Sequence, residues 1–120
     1  MARILLVEDE ENCVRALEYF LGEVGGHEIV TAPRAQEAIE LARRRPPDVV
    51  LTDLFLANAE GGDEVVRTLV AERPDLPVIV MSGLPEPEIH KRLEDVEVFR
   101  ICPKPVRLTA IRRAIDDALA

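Results

Sequence analysis

The sequence predicts a doubly wound α/β domain, a five-stranded parallel sheet with helices on both faces. Two observations carry this. Short apolar runs rich in β-branched residues recur at "RILLV", "HEIVT", "DVVLT", "LPVIVM" and "VEVFRI". Longer stretches with helical spacing of apolar residues separate them, the beat of repeated βαβ units. "VVL" and "VIV" are continuously apolar, as in central strands buried on both faces, whereas "HEIVT" alternates as an edge strand does.

The helical segments follow in order. Val14, Leu17, Leu21 and Val24 line one face of the first, which Gly25-Gly26 stops. Ala35, Ala38, Ile39 and Ala42 line the second, which ends before Pro46-Pro47. Val65, Val66, Leu69 and Val70 mark a third, closed by Pro74. Glu86 to Asp95 is the weakest helix, because Pro85 and Pro87 crowd its start. Leu108, Ile111, Ile115 and Leu119 mark the last. There is no internal repeat, low-complexity stretch or linker, so one domain is expected to use residues 1–120.

Composition narrows the function. At 120 residues and 48% hydrophobic content the chain can bury a core without disulfides or structural metal. A formal net charge of −8 is opposite to the basic patch of a nucleic-acid-binding surface. No apolar run approaches a membrane span, and Glu8 cuts "ILLV" short of a signal-peptide core. Cys13 and Cys102 lack metal-ligand spacing with each other or with His27 and His90. A reduced, cytoplasmic protein is expected, with both histidines at the surface.

In open parallel sheets, ligands bind at the carboxyl ends of the strands. Glu8 and Asp9 follow the first strand, Asp53 closes the third, Ser82-Gly83 ends the fourth, and Lys104 follows the fifth between two prolines. Each alone has an ordinary explanation. Acids from Glu8 to Glu11 complement a helix dipole, Asp53 can cap a helix, Ser82-Gly83 can make a turn, and a lysine at a strand end is usually solvated. Together they place three carboxylates, a hydroxyl and an ammonium on one edge of one sheet. Four acids in a row after an apolar strand also call for a cation.

These residues carry a family resemblance. "ILLVEDEEN…DVVLTDLFL…VIVMSG…CPKP" resembles the receiver domain of two-component response regulators over the whole chain. The resemblance implies a flavodoxin-like (βα)5 fold with strand order 2-1-3-4-5. It implies that Asp53 is the phosphoacceptor, and that Glu8, Asp9, Asp53 and the backbone carbonyl of Phe55 hold Mg²⁺. Ser82 and Lys104 would contact the phosphoryl group. Gly61 stands where the family usually has glycine after its third strand, and it also suits a helix-entry turn. The chemistry of the residues agrees: Mg²⁺ favours carboxylate and carbonyl oxygens and would let neighbouring carboxylates stay ionised together. Phosphoryl transfer asks the protein mainly to position groups and neutralise charge.

The donor implied is the phosphohistidine of a sensor histidine kinase or a phosphotransfer protein. The recipient of the signal would be a downstream effector or a covalently linked output domain, with no direct nucleic-acid or membrane contact. The face of the fourth helix, fifth strand and fifth helix would signal, and is the surface for a homodimer. No output domain follows Ala120, which suits either a stand-alone regulator or a piece of a longer regulator or hybrid kinase. Self-phosphorylation with slow autodephosphorylation is not enzyme turnover, so the chain is not read as an enzyme.

Several positions depart from the family pattern. Ala57 replaces the usual proline, suggesting a looser loop. Ile101 occupies the commonly aromatic switch position that works with Ser82, and cannot report by ring rotation. Pro103 removes a strand donor. Lys104-Pro105 is a cis candidate by resemblance, whereas the dipeptide alone favours trans. Phe55 and Leu84, two residues past Asp53 and Ser82, sit where the family tunes hydrolytic water, and both are apolar. Three alternatives compete. A haloacid-dehalogenase-type phosphatase would place its nucleophile after the first strand in a D-x-D arrangement, which Asp9-Glu10-Glu11 matches poorly. A flavodoxin-like cofactor binder would need a phosphate loop where four acids stand. A pseudo-receiver would keep the fold as a docking module without phosphorylation.

Overall fold

The computed structural model describes residues 1–55 and 61–120. Five parallel strands, β1 (Arg3–Val7), β2 (Glu28–Ala32), β3 (Val49–Asp53), β4 (Val78–Ser82) and β5 (Arg100–Pro103), form one sheet in the order β2-β1-β3-β4-β5. Helices α1 (Glu11–Leu17), α2 (Ala35–Arg44), α3 (Gly62–Glu72), α4 (Glu86–Arg92) and α5 (Leu108–Leu119) alternate with them. Ala57 lies outside the described residues. Among those residues no helix is long and apolar enough to cross a membrane.

Strand alternation divides the core in two. Ile4, Leu6, Val49, Leu51, Ile79 and Met81 pack with Leu17 and Leu21 and with Ile111 and Ile115 of α5. Their neighbours Leu5, Val7, Val50, Val78 and Val80 point the other way, onto Ala38, Ala42, Val65, Leu69 and Ile89. Two periodicities of the chain, two along strands and 3.6 along helices, thus meet at both faces of one sheet. β3 and β4 are buried at every residue, and each fully buried Val, Leu or Ile side chain contributes about 1.5–3 kcal/mol. The outer strands are β2 and β5. Pro103 is tolerated because β5 is an edge.

Three sequence expectations shift. The fifth strand begins at Arg100 rather than Val96, although Val96 and Val98 still pack against the core. The fourth helix is shorter than expected, ending at Arg92 rather than Asp95. Its prolines start it instead of weakening it, since Pro85 is the N-cap and Pro87 lies in the first turn, where a missing N–H costs no helical bond. The first helix winds into a π-helical segment at Glu18–Val24. The wider winding rotates the last turn out of the α register: Leu21 stays buried while Val24 is 55% exposed.

Gly62, which the sequence reading did not single out, opens α3 against the end of β3. A Cβ there would lie 2.1 Å from the Asp53 carbonyl oxygen and 2.3 Å from the Leu54 Cα, distances only displaced backbone can relieve. Gly61 before it takes φ 111°, a conformation that favours glycine. Gly62→Ala is expected to cost about 1–3 kcal/mol or more through overpacking. Urea unfolding measures this, and an unchanged midpoint would show slack that the backbone here lacks.

Candidate functional site

The carboxyl ends of β1, β3, β4 and β5 share one edge, as the parallel register requires: Val7 pairs with Thr52, Asp53 with Met81, and Ser82 with Pro103. Residues distant in sequence therefore converge. The Lys104 ammonium donates to Glu8 Oε1 at 2.7 Å and to Asp53 Oδ2 at 2.8 Å. Both acceptors are nearly sealed from solvent, Glu8 at 2% and Asp53 at 6% exposure. Asp9 is exposed, yet one carboxylate oxygen from each of Glu8, Asp9 and Asp53 lies within 4.8 Å of the others.

The four acids after β1 divide their work. Glu8 turns inward, its Oε2 accepting the Asp9 and Glu10 N–H groups at 3.1 and 3.2 Å. Glu10 caps α1, accepting from Asn12 N at 3.1 Å and Cys13 N at 2.8 Å, which satisfies donors that a helix start leaves open. Glu11 pairs along the helix surface with Arg15. Two of the four thus face the crevice and two serve the helix.

The remaining predicted residues are placed as follows. Ser82 is fully buried at the end of β4, and its hydroxyl accepts the Leu84 N–H at 3.1 Å, leaving its own O–H to donate. Phe55 donates its N–H to Asp53 Oδ1 at 3.1 Å, so two groups now fix that carboxylate. Ile101 is half-buried on the opposite side of β5 from Cys102 and lines, with Leu84, Glu86, Ile89 and Pro103, a cavity of about 220 Å³. The Lys104–Pro105 bond is cis, as the resemblance implied and the dipeptide alone did not. His90 is exposed, while His27 is more than a surface residue: its Nδ1 accepts the Ala2 N–H at 3.1 Å. Cys13, passed over for want of metal-ligand spacing, sits near the acids. Burial and then the Glu8 charge push its thiol up to about 12, so it stays protonated near neutral pH.

Electrostatically, one ammonium is shared by too many acids. Burial disfavours the Lys104 cation, but its hydrogen bonds to Asp53 and Glu8 outweigh this and hold its pKa above the ordinary lysine value. Glu8 is left less well compensated. Its burial raises its pKa, the Lys104 hydrogen bond pulls it back, and the Asp53 charge pushes it up again, for a net rise. Three carboxylates against one ammonium leave two negative charges in the crevice. Hard oxygen donors around that imbalance match a small divalent cation, so the donor set fits such an ion.

A Glu8 pKa raised above 4.5 means the folded chain holds this proton more tightly than the unfolded one. Its contribution to stability is greatest below 4.5 and declines as pH rises through the folded value. Lys104→Met removes the compensating charge and is expected to cost about 1–3 kcal/mol at neutral pH, with the loss shrinking as pH falls toward 4.5. Urea titrations of both proteins across that range measure it; a loss that is constant with pH would show that the ammonium does not stabilise the Glu8 carboxylate.

Comparison with known proteins agrees with the fold. The family model of the response regulator receiver domain matches residues 4–116. A cyclic di-GMP phosphodiesterase of Thermotoga maritima is 30% identical over 116 residues, which cover 97% of this chain and 30% of that protein. The transcriptional regulatory protein PdtaR of Mycobacterium tuberculosis is 27% identical over 118 residues, or 98% of this chain and 57% of that one. The chain thus spans between about a third and somewhat over half of the length of these curated relatives. Among solved structures, a response regulator receiver domain protein of Clostridium thermocellum superposes with a TM-score of 0.87 at 25% identity, over 99% of this chain and 94% of that one. With the fold, the strand order and a match across nearly its whole length in accord, the chain belongs to the response regulator receiver domain family.

Proposed function

We propose that this domain is a phosphoacceptor of a two-component system, taking a phosphoryl group onto Asp53 from the phosphohistidine of a sensor histidine kinase or phosphotransfer protein. The observation that carries the reading is the sharing of the Lys104 ammonium between Asp53 and Glu8 beside Asp9 at one sheet edge. Glu8, Asp9, Asp53 and the Phe55 carbonyl would hold Mg²⁺, which supplies positive charge to the phosphoryl oxygens when bound.

The chain's own groups then have defined tasks. An Asp53 oxygen attacks phosphorus as the P–N bond to the donor histidine breaks, and the bonding pair stays with the imidazole nitrogen, which takes up a proton. Lys104, hydrogen-bonded to Asp53, can follow the charge as it moves outward onto the phosphoryl oxygens. The Ser82 O–H would donate to one of them. The transfer leaves the phosphoryl group on the protein, so its output is a conformational change toward an effector or output domain, in the cytoplasm, rather than catalytic turnover. Ile101 has no ring to turn inward, which sets this signalling face of α4, β5 and α5, and any homodimer through it, apart from the family's usual one.

Intact mass after incubation with Mg²⁺ and acetyl phosphate tests the reading. One phosphoryl group is expected on the parent and none on Asp53→Ala or in the presence of EDTA. Should the parent bind neither a phosphoryl group nor beryllofluoride with Mg²⁺, phosphotransfer is wrong and the domain is a docking module. Phe55 and Leu84 give a second expectation. Both are half-buried apolar residues flanking the site, and replacing both with polar residues should shorten the lifetime of the phosphorylated protein. A lifetime left unchanged rules out shielding by this pair.

A further inference from the structure

Arg92 ends α4 on its exposed side, yet its guanidinium carbon lies 4.8 Å from the centroid of the Phe55 ring. Phe55 is itself tied to the proposed nucleophile through its N–H on Asp53 Oδ1. Its ring packs against the apolar core on the side of the sheet that holds Leu84, Ile89 and Leu93. Arg92 is also held from behind. Its backbone carbonyl accepts Arg67 Nη2 from α3, and the same nitrogen pairs with Asp95 Oδ1 at 3.1 Å. Two helices and the residue two past Asp53 thus meet at one junction, with an arginine on an aromatic face at its centre.

We propose that Arg92 is a positioning residue that pins the ring of Phe55, whose backbone N–H holds Asp53, and so prolongs the life of the phosphoryl group on Asp53. The inference rests on the reading of Asp53 as phosphoacceptor. In hydrolysis, water oxygen attacks phosphorus, the bond to Asp53 breaks with its electron pair returning to the carboxylate, and water's proton leaves to solvent with inorganic phosphate as product. Water must approach past whatever borders the acyl phosphate. A ring packed on the core and covered by a cation has a defined position, whereas an uncovered ring is free to swing aside. A cation over an aromatic face at an exposed site is worth enough to change such a population, and hence the rate, about two- to fivefold. Phosphorylation also replaces a charged acceptor of the Phe55 N–H with a neutral one, which loosens that residue from below. The hold of Arg92 on the ring therefore matters most in the phosphorylated protein.

The test follows decay of the phosphorylated mass after removal of acetyl phosphate, in Mg²⁺, for the parent, Arg92→Met, Arg92→Lys, Phe55→Leu and the Phe55→Leu/Arg92→Met double variant. Thermal melts establish that each is folded. Arg92→Met, which keeps an apolar stem but no charge, is expected to decay about two- to fivefold faster. Arg92→Lys should stay near the parent, and the double variant should decay no faster than Phe55→Leu alone. Parental decay in Arg92→Met, or additive effects in the double variant, overturns the role of Arg92 while leaving phosphotransfer standing. A parent that neither takes up a phosphoryl group nor binds beryllofluoride with Mg²⁺ overturns both.

Discussion

The site depends on one ammonium group. Lys104 leaves the edge strand β5 and reaches across the sheet to Asp53 at the end of β3 and Glu8 at the end of β1. These partners lie 51 and 96 residues away along the chain. Only the strand order brings them within hydrogen-bond distance. A single ammonium set among three carboxyl groups leaves the site formally negative, and its oxygen donors fit a small divalent cation. A site fully compensated by its own side chains would have no reason to bind one.

The stretch after β1 answers local and long-range demands at once. Glu10 satisfies the first N–H groups of α1, and Glu11 suits its dipole, while Glu8 turns its carboxylate into the crevice and fixes the turn through two backbone N–H groups. Across the crevice, Gly62 lets the start of α3 approach the backbone of Asp53 to a distance that no side chain permits. Asp53 is thus held by its neighbours' backbone, with its carboxylate oxygens divided between the Phe55 N–H and Lys104.

The face around Ile101 is built differently from the sheet edge that holds Lys104. Ile101 with Leu84, Ile89 and Pro103 borders a small apolar cavity, and the aromatic residue that bonds to Asp53 is Phe55, covered by α4 through Arg92. A chain of contacts thus links Asp53 to α4, from a backbone N–H to a ring to a guanidinium.

What the sequence determined by itself was the pattern that local physics controls. Alternating texture predicted five strands, five helices and a parallel sheet, and the ends of the apolar runs located Glu8, Asp9, Asp53, Ser82 and Lys104, because parallel strands must present their carboxyl ends on one edge. That acids at a helix start suit its dipole was also legible, whereas the capping of α1 by Glu10 emerged only with the structure. Tertiary structure decided the rest. Whether Val24 is buried depended on the winding of α1 into a π segment, and the start of β5 depended on which residues β4 leaves open to pair. The need for glycine at 62, the contact of Arg92 with Phe55 and the Cys13 thiol beside Glu8 arise from approach between elements far apart in the chain. No periodicity records them, because each is set by the distance between two surfaces and not by the spacing along either one.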